Sequence, residues 1–87
     1  MKKLVQIEET GITGFEELLG KRVTFFCLNY IYTGDLTGVN DTHIQLANPA
    51  IVYETGPFSD KKWKDAQPLP NVINVMMSAI EAFGEVK

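Results

Sequence analysis

Residues 34–46 read Gly34-Asp35-Leu36-Thr37-Gly38-Val39-Asn40-Asp41-Thr42-His43-Ile44-Gln45-Leu46, and the fold turns on them. Asn40-Asp41 is a turn signal, because both residues tolerate positive φ and their side chains bond to the backbone that follows. Thr42 to Leu46 then alternates, with Ile44 and Leu46 directed inward. Before the turn, Gly34, Leu36 and Gly38 share one face of a strand predicted over about Ile31 to Val39. Glycine weakens a flat strand, so two in one strand point to a sheet that curls over itself. The stretch therefore predicts a hairpin of strongly bent strands.

Upstream, Val23, Phe25 and Cys27 alternate with Thr24, Phe26 and Leu28 in a first strand, and Asn29-Tyr30 supplies the turn into the second. Thr13-Gly14-Phe15-Glu16 has the form of a capping box and predicts a short helix with Phe15, Leu18 and Leu19 on one stripe. Gly20 is placed to end it in the left-handed conformation. Residues 1–11 form either an N-terminal arm or an extra strand. Downstream, Asn48-Pro49 kinks one long strand that continues to Thr55. Residues 57–70 carry three prolines around Asp60-Lys61-Lys62-Trp63-Lys64-Asp65 and predict a long loop before the fourth strand. Residues 71–84 permit a helix, yet Pro70 and the β-branched Val72, Ile73 and Val75 favour two short strands with a corner near Ser78.

A chain of 87 residues is one domain, 1–87. Its hydrophobic share of 45% and charged share of 22% suffice for a folded core. A net charge of -3 argues against broad phosphate binding, which needs many Lys and Arg, so any nucleic-acid contact must be local. The single cysteine, Cys27, has no partner in the chain for a disulfide and suits a reduced, cytoplasmic setting. No secretory core follows the first lysines, and no apolar window reaches the length of a membrane span, so no membrane partner is expected.

Val23-x-Phe25 with Leu28, followed by Gly34-x-Leu36-x-Gly38-Val39 and Asn40 or Asp41 at the turn, resembles the first motif of the Sm-like family, including its bacterial host-factor branch. The match is good over about Phe15 to Gly56 and weaker over Val72 to Phe83. The resemblance implies a mostly β fold: a five-stranded, strongly bent antiparallel barrel with a short N-terminal helix. It also implies a homo-oligomeric ring of about five to seven subunits, whose number small changes of strand tilt would set. The fourth strand of one barrel would pair with the fifth of the next, which agrees with the need to cover free sheet edges. The function implied is binding of single-stranded U- or A-rich RNA through pore-facing loops. The Arg-Gly pair of other branches and the Lys-His of the bacterial branch are both missing, and Met77-Ser78 stands at the latter place. An alternative is therefore a ring that serves as an assembly or protein-interaction module without RNA; a third is a monomeric SH3-like adaptor.

The candidate RNA-binding residues are Asn40, Asp41, Thr42, His43 and Gln45. Aligning Asp41 with the family aspartate puts His43 at the base-stacking place and Gln45 at the amide that bonds the base edge. Aligning Asn40 instead puts Ile44 at the amide. The plainer reading makes His43 a packed or solvated hairpin residue. Lys61, Lys62, Trp63 and Lys64 form an accessory aromatic and basic candidate, or else an anchor in which Trp63 is buried and the lysines point outward. Tyr30, Tyr32 and Tyr53 are expected to pack or form interfaces, and Met76-Met77 and Cys27 to serve interface or core. Catalysis is not expected, because Cys27 in an apolar strand lacks an activating partner. Nor is a metal, a cofactor or a small-molecule substrate: one histidine and scattered carboxylates lack ligand spacing, and no phosphate-binding glycine loop is present.

Overall fold

A computed structural model describes residues 14–87. Six strands, β1 (Arg22–Cys27), β2 (Ile31–Val39), β3 (His43–Glu54), β4 (Asp65–Pro68), β5 (Ile73–Met76) and β6 (Ile80–Gly84), form one antiparallel sheet. The order is β4-β3-β2-β1-β6, and β5 lies off this path against the first half of β3. The sheet is open, with β4 and β6 at its ends. No helix among the described residues is long and apolar enough to cross a membrane.

The mostly β, antiparallel character agrees with the sequence reading, but the details depart from it in four places. The predicted helix is a single 3-10 turn, Glu16–Leu18. In that geometry residues three apart eclipse and residues four apart do not, so Phe15 is buried and Leu18 half-buried while Leu19 is left exposed. Gly20 does adopt the left-handed conformation, at φ 85°. Thr13 of the capping box and the 1–11 arm lie outside the described residues.

The second departure is the strand count of six rather than five. The segment read as a long loop, 57–70, contains β4, which pairs Ala50 with Pro68 and Val52 with Ala66. Prolines disguise it, yet an edge strand tolerates them because one side of it needs no N–H donor. Residues 71–84 do form two strands turning at a corner, a 3-10 turn over Met77–Ala79.

The third concerns the glycines. A Cβ on Gly34 would sit 3.0 Å from the Leu46 Cβ, 3.2 Å from the Ala47 carbonyl oxygen and 3.3 Å from the Pro49 Cα, so β3 crosses β2 here only because the side chain is missing. Gly38 is different. A bulge shifts the register between Leu36 and Gly38, so that Leu36 pairs with Leu46 whereas Gly38 pairs with Gln45. The bulge reverses parity, and Gly38 lies opposite an outward residue. A Cβ there would make only an ordinary contact, 3.5 Å from Gln45.

The core gathers Phe15, Val23, Phe25, Leu36, Ile44, Leu46 and Val75. Phe15 packs on Phe83 with ring centroids 4.1 Å apart and on Phe25 at 6.1 Å, which seats the 3-10 turn on the sheet. Each such pair contributes about 0.5–1.5 kcal/mol beyond burial. Thr24 and Thr33, cross-strand partners, are buried as well, and the Thr24 hydroxyl donates to that of Thr33 at 3.4 Å. The fourth departure is Cys27, which the alternation puts on the face of Val23 and Phe25, both 0% exposed, yet which is half-exposed at the end of β1. Its thiol still lies above the ordinary range, pushed up by burial and then by the Glu81 carboxylate.

The kink in β3 falls where the proline predicted it. Asn48 takes φ 47°, and its amide donates to the Asp35 carboxylate at 3.0 Å. Arg22 Nη1 donates to the Asn48 carbonyl at 2.8 Å and to Asp35 at 3.3 Å, tying the kink to β1 and β2. The Asn48 bond is the main cause that holds the Asp35 carboxyl below its usual range; Arg22 adds to it and burial opposes it.

Two predictions follow from the crossing and the kink. Gly34→Ala is expected to cost about 1–3 kcal/mol through overpacking, whereas Gly38→Ala is neutral or stabilising by up to about 1 kcal/mol, both read as urea midpoints. Because the folded pKa of Asp35 lies below the unfolded one, its contribution is present above the ordinary carboxylate range of about 4 and is lost as pH falls through the folded value. Asp35→Asn should therefore lower the urea midpoint at pH 7, and the gap from the native chain should narrow as pH falls below the ordinary carboxylate range of about 4. A gap independent of pH would exclude this.

Candidate functional site

The hairpin tip between β2 and β3 is closed by Asn40. Its Oδ1 accepts from the backbone N–H of Thr42 at 2.9 Å, from that of His43 at 3.0 Å and from the Thr42 hydroxyl at 3.1 Å. The Asn40 backbone N–H donates to the His43 carbonyl at 3.0 Å. The side chain thus supplies the acceptor that the tight turn lacks, which is why Asn works here.

The same atoms orient the histidine. Thr42 Oγ1 lies 2.9 Å from His43 Nδ1, and Asn40 Nδ2 lies 3.4 Å from His43 Nε2. One assignment satisfies every member, since the Asn40 amide can only donate and the Thr42 hydrogen goes to Asn40 Oδ1. His43 then carries its proton on Nδ1 and donates it to Thr42, while Nε2 accepts from Asn40. The ring is half-buried and held on two sides.

Gly38, Val39, Asn40, His43 and Gln45 line a small cleft of about 240 Å³. The structure thus brings together Asn40, His43 and Gln45, while Asp41 and Thr42 stand outside the lining, and Asp41 is exposed. Ile44 is 0% exposed in the core and is closed to any ligand, whereas Gln45 is exposed. Gln45 Oε1 accepts from the Thr37 hydroxyl at 3.1 Å, leaving the amide hydrogens free to donate.

Two neighbours on this face were not read from the sequence as part of the site: Asn74, which was not singled out, and Met76, which was expected to serve interface or core. β5 pairs with β3 so that Met76 lies opposite His43 and Asn74 opposite Gln45, and both are exposed. The alternation Ile73-Asn74-Val75-Met76, with Val75 buried, carried the signal, but only the pairing with β3 places Asn74 beside Gln45. Met77 N–H donates to the Thr42 carbonyl at 2.8 Å, so the Met77–Ala79 turn abuts the hairpin tip. Met77 packs against the core and Ser78 is exposed.

Lys61, Lys62, Trp63 and Lys64 gather elsewhere, in a cleft of about 600 Å³ that also includes Arg22, Thr33 and Ala50. Thr33 lies six residues along β2 from Val39, roughly 20 Å at the rise of a strand, and the two clefts share no residue. Basic character there is neutralised in part: Arg22 pairs with Asp35 at 3.3 Å and Lys64 with Glu54 at 3.4 Å. Trp63 is half-buried and meets Phe58 edge-on, with centroids 6.2 Å apart. Tyr30 and Tyr53 are exposed, Tyr32 packs at the border of the core, and Met76 is exposed. Among the described residues no three His, Cys, Asp or Glu side chains converge to hold a metal ion. The Cys27 thiol donates to the Phe25 carbonyl, 3.7 Å away.

Comparison with protein-family models, curated proteins and solved structures found no match.

Asn40→Ala removes the acceptor of three hydrogen bonds at the tip. It should destabilise the chain by about 1–3 kcal/mol, whereas Asp41→Ala should stay within about 0.5 kcal/mol; chemical denaturation of the two variants makes the check.

Proposed function

We propose that the chain is an Sm-like module that assembles into a ring of identical subunits and binds single-stranded, U- or A-rich RNA at its hairpin tips. The observation that carries this reading is the abutment of two loops: the Asn40–His43 tip and the Met77–Ala79 turn, joined by the Met77 to Thr42 hydrogen bond. Around that junction stand a flat ring, His43, two amides, Gln45 and Asn74, and the thioether of Met76. A flat ring and amides are what single-stranded readers use, the ring to stack on a base and the amides to bond its edge. The β2–β3 pair, in close contact at Gly34 and kinked at Asn48, and the 3-10 corner before β6 fit an Sm-like chain, with β4 and β5 together in the place of its bent fourth strand and β6 as its fifth.

Assembly follows from the edges. β4 and β6 end the sheet, and pairing β4 of one copy with β6 of the next would cover both and close a ring. Leu28, Tyr30, Tyr53, Val72 and Met76 are exposed apolar side chains that such contacts could use. The same exposed side chains, and the lack of Lys or Arg in the hairpin cleft, favour a second reading, a ring that serves protein assembly and binds no RNA.

Light scattering and fluorescence anisotropy with short RNA homopolymers over a salt series separate the readings. The first expects a ring that binds oligo-U or oligo-A with a shallow salt slope, few phosphates being neutralised. His43→Ala should then weaken binding by roughly tenfold, the worth of one base stack of about 1–3 kcal/mol, with the ring mass unchanged. A ring that binds no RNA establishes the second reading. A monomer at micromolar concentration defeats both and leaves the SH3-like adaptor.

A further inference from the structure

The segment between β3 and β4 makes a cup. Gly56 takes φ 67° and lets the chain turn back so that Lys64 N–H donates to the Thr55 carbonyl at 3.4 Å. Asp60 N–H donates to the Pro57 carbonyl at 3.0 Å, which closes a second turn within the first. As a result the carbonyl oxygens of Thr55, Pro57 and Lys62 converge on one point, and that point is held by Lys87 Nζ, which donates to them at 2.8, 2.9 and 3.1 Å. Two rings complete the wall: the ammonium lies 4.7 Å from the Trp63 centroid and 5.4 Å from that of Phe58.

Ordinary surface lysines spend their three N–H groups on water. Here all of them are taken by backbone oxygens, and the charge rests on two aromatic faces. Among the described residues no carboxylate takes part, so the contact described is one of shape and donor number rather than of charge pairing. We propose that the 55–63 loop is a receptor for a primary ammonium group, held in cis by Lys87, and that withdrawing Lys87 opens it to a lysine side chain of another polypeptide.

The chemistry selects the ligand class. A primary ammonium offers three tetrahedral N–H donors to three converging carbonyls, whereas a quaternary ammonium satisfies the rings but donates to none of the carbonyls. A guanidinium is planar and cannot aim its donors at such a tripod. A bare alkali cation meets only three oxygens, short of the shell it needs. The cup is independent of the RNA reading, since it shares no residue with the hairpin cleft.

Trp63 is the only tryptophan in the sequence, so its fluorescence reports on the cup without a label. Lys87→Met keeps the apolar stem and removes the charge. In that variant n-butylammonium chloride should change the Trp63 emission saturably in the millimolar range, and tetramethylammonium or potassium chloride at equal ionic strength should not. The native chain, its cup filled, should respond at least tenfold more weakly. Reductive methylation of the native chain supplies a second readout, in which Lys87 should react several-fold more slowly than Lys61 or Lys62. The proposal fails if Lys87→Met does not respond to n-butylammonium, if tetramethylammonium acts equally well, or if Lys87 is methylated as fast as its neighbours.

Discussion

The close crossing of β2 and β3 at Gly34 is the constraint from which the rest of this small structure follows. With the Leu46 Cβ and the backbone of Ala47 and Pro49 pressed against the space where a side chain would stand, the two strands can bend together as one curved ribbon. The bend brings Leu36, Ile44 and Leu46 onto the concave side with Val23 and Phe25, where each is 0% exposed. It also lets the halves of β3 pair with different partners, the first with β5 and the second with β4. The kinked β3 takes two short strands that lie before the corner.

How much of this was legible in the sequence depended on whether the deciding signal was local. The hairpin was, because Asn40 acts on residues two and three positions away, and so was the kink at Asn48-Pro49. The two strands after Pro70 could be read from β-branched side chains. By contrast β4 has neither alternation nor β-branched residues, only Asp65, Ala66, Gln67 and Pro68. Its strand character comes from the open edge of β3, a partner more than ten residues away, which no local pattern announces. The parity of Gly38 failed for a related reason: the period of two holds only while the register does, and a bulge intervenes between Leu36 and Gly38.

The candidate site divides along the same line. His43 and Gln45 could be found from alternation after the turn, which also puts Ile44 in the core, where it is 0% exposed. Asn74 could not, because its importance rests on lying opposite Gln45 in another strand. Lys87 could be read even less. It lies 25 residues from Lys62 and 32 from Thr55, and the oxygens that receive it belong to the backbone, which carries no sequence signal at all.

The disposition of positive charge bears on both proposals at once. Of the cations among the described residues, Lys21 meets Glu85, Arg22 meets Asp35, Lys64 meets Glu54 and Lys87 fills the cup, which leaves Lys61 and Lys62 without such a contact. None of them lines the hairpin cleft. A nucleic acid at that cleft would gain little from counterion release, and the affinity of one subunit would rest on stacking and amide contacts alone. Weak single contacts become useful when several are presented together, because the second is made at the effective concentration set by the first. On the reading proposed above, ring assembly is therefore a condition of RNA binding: separated subunits, equally well folded, would present the same His43 and Gln45 and hold the strand far less tightly.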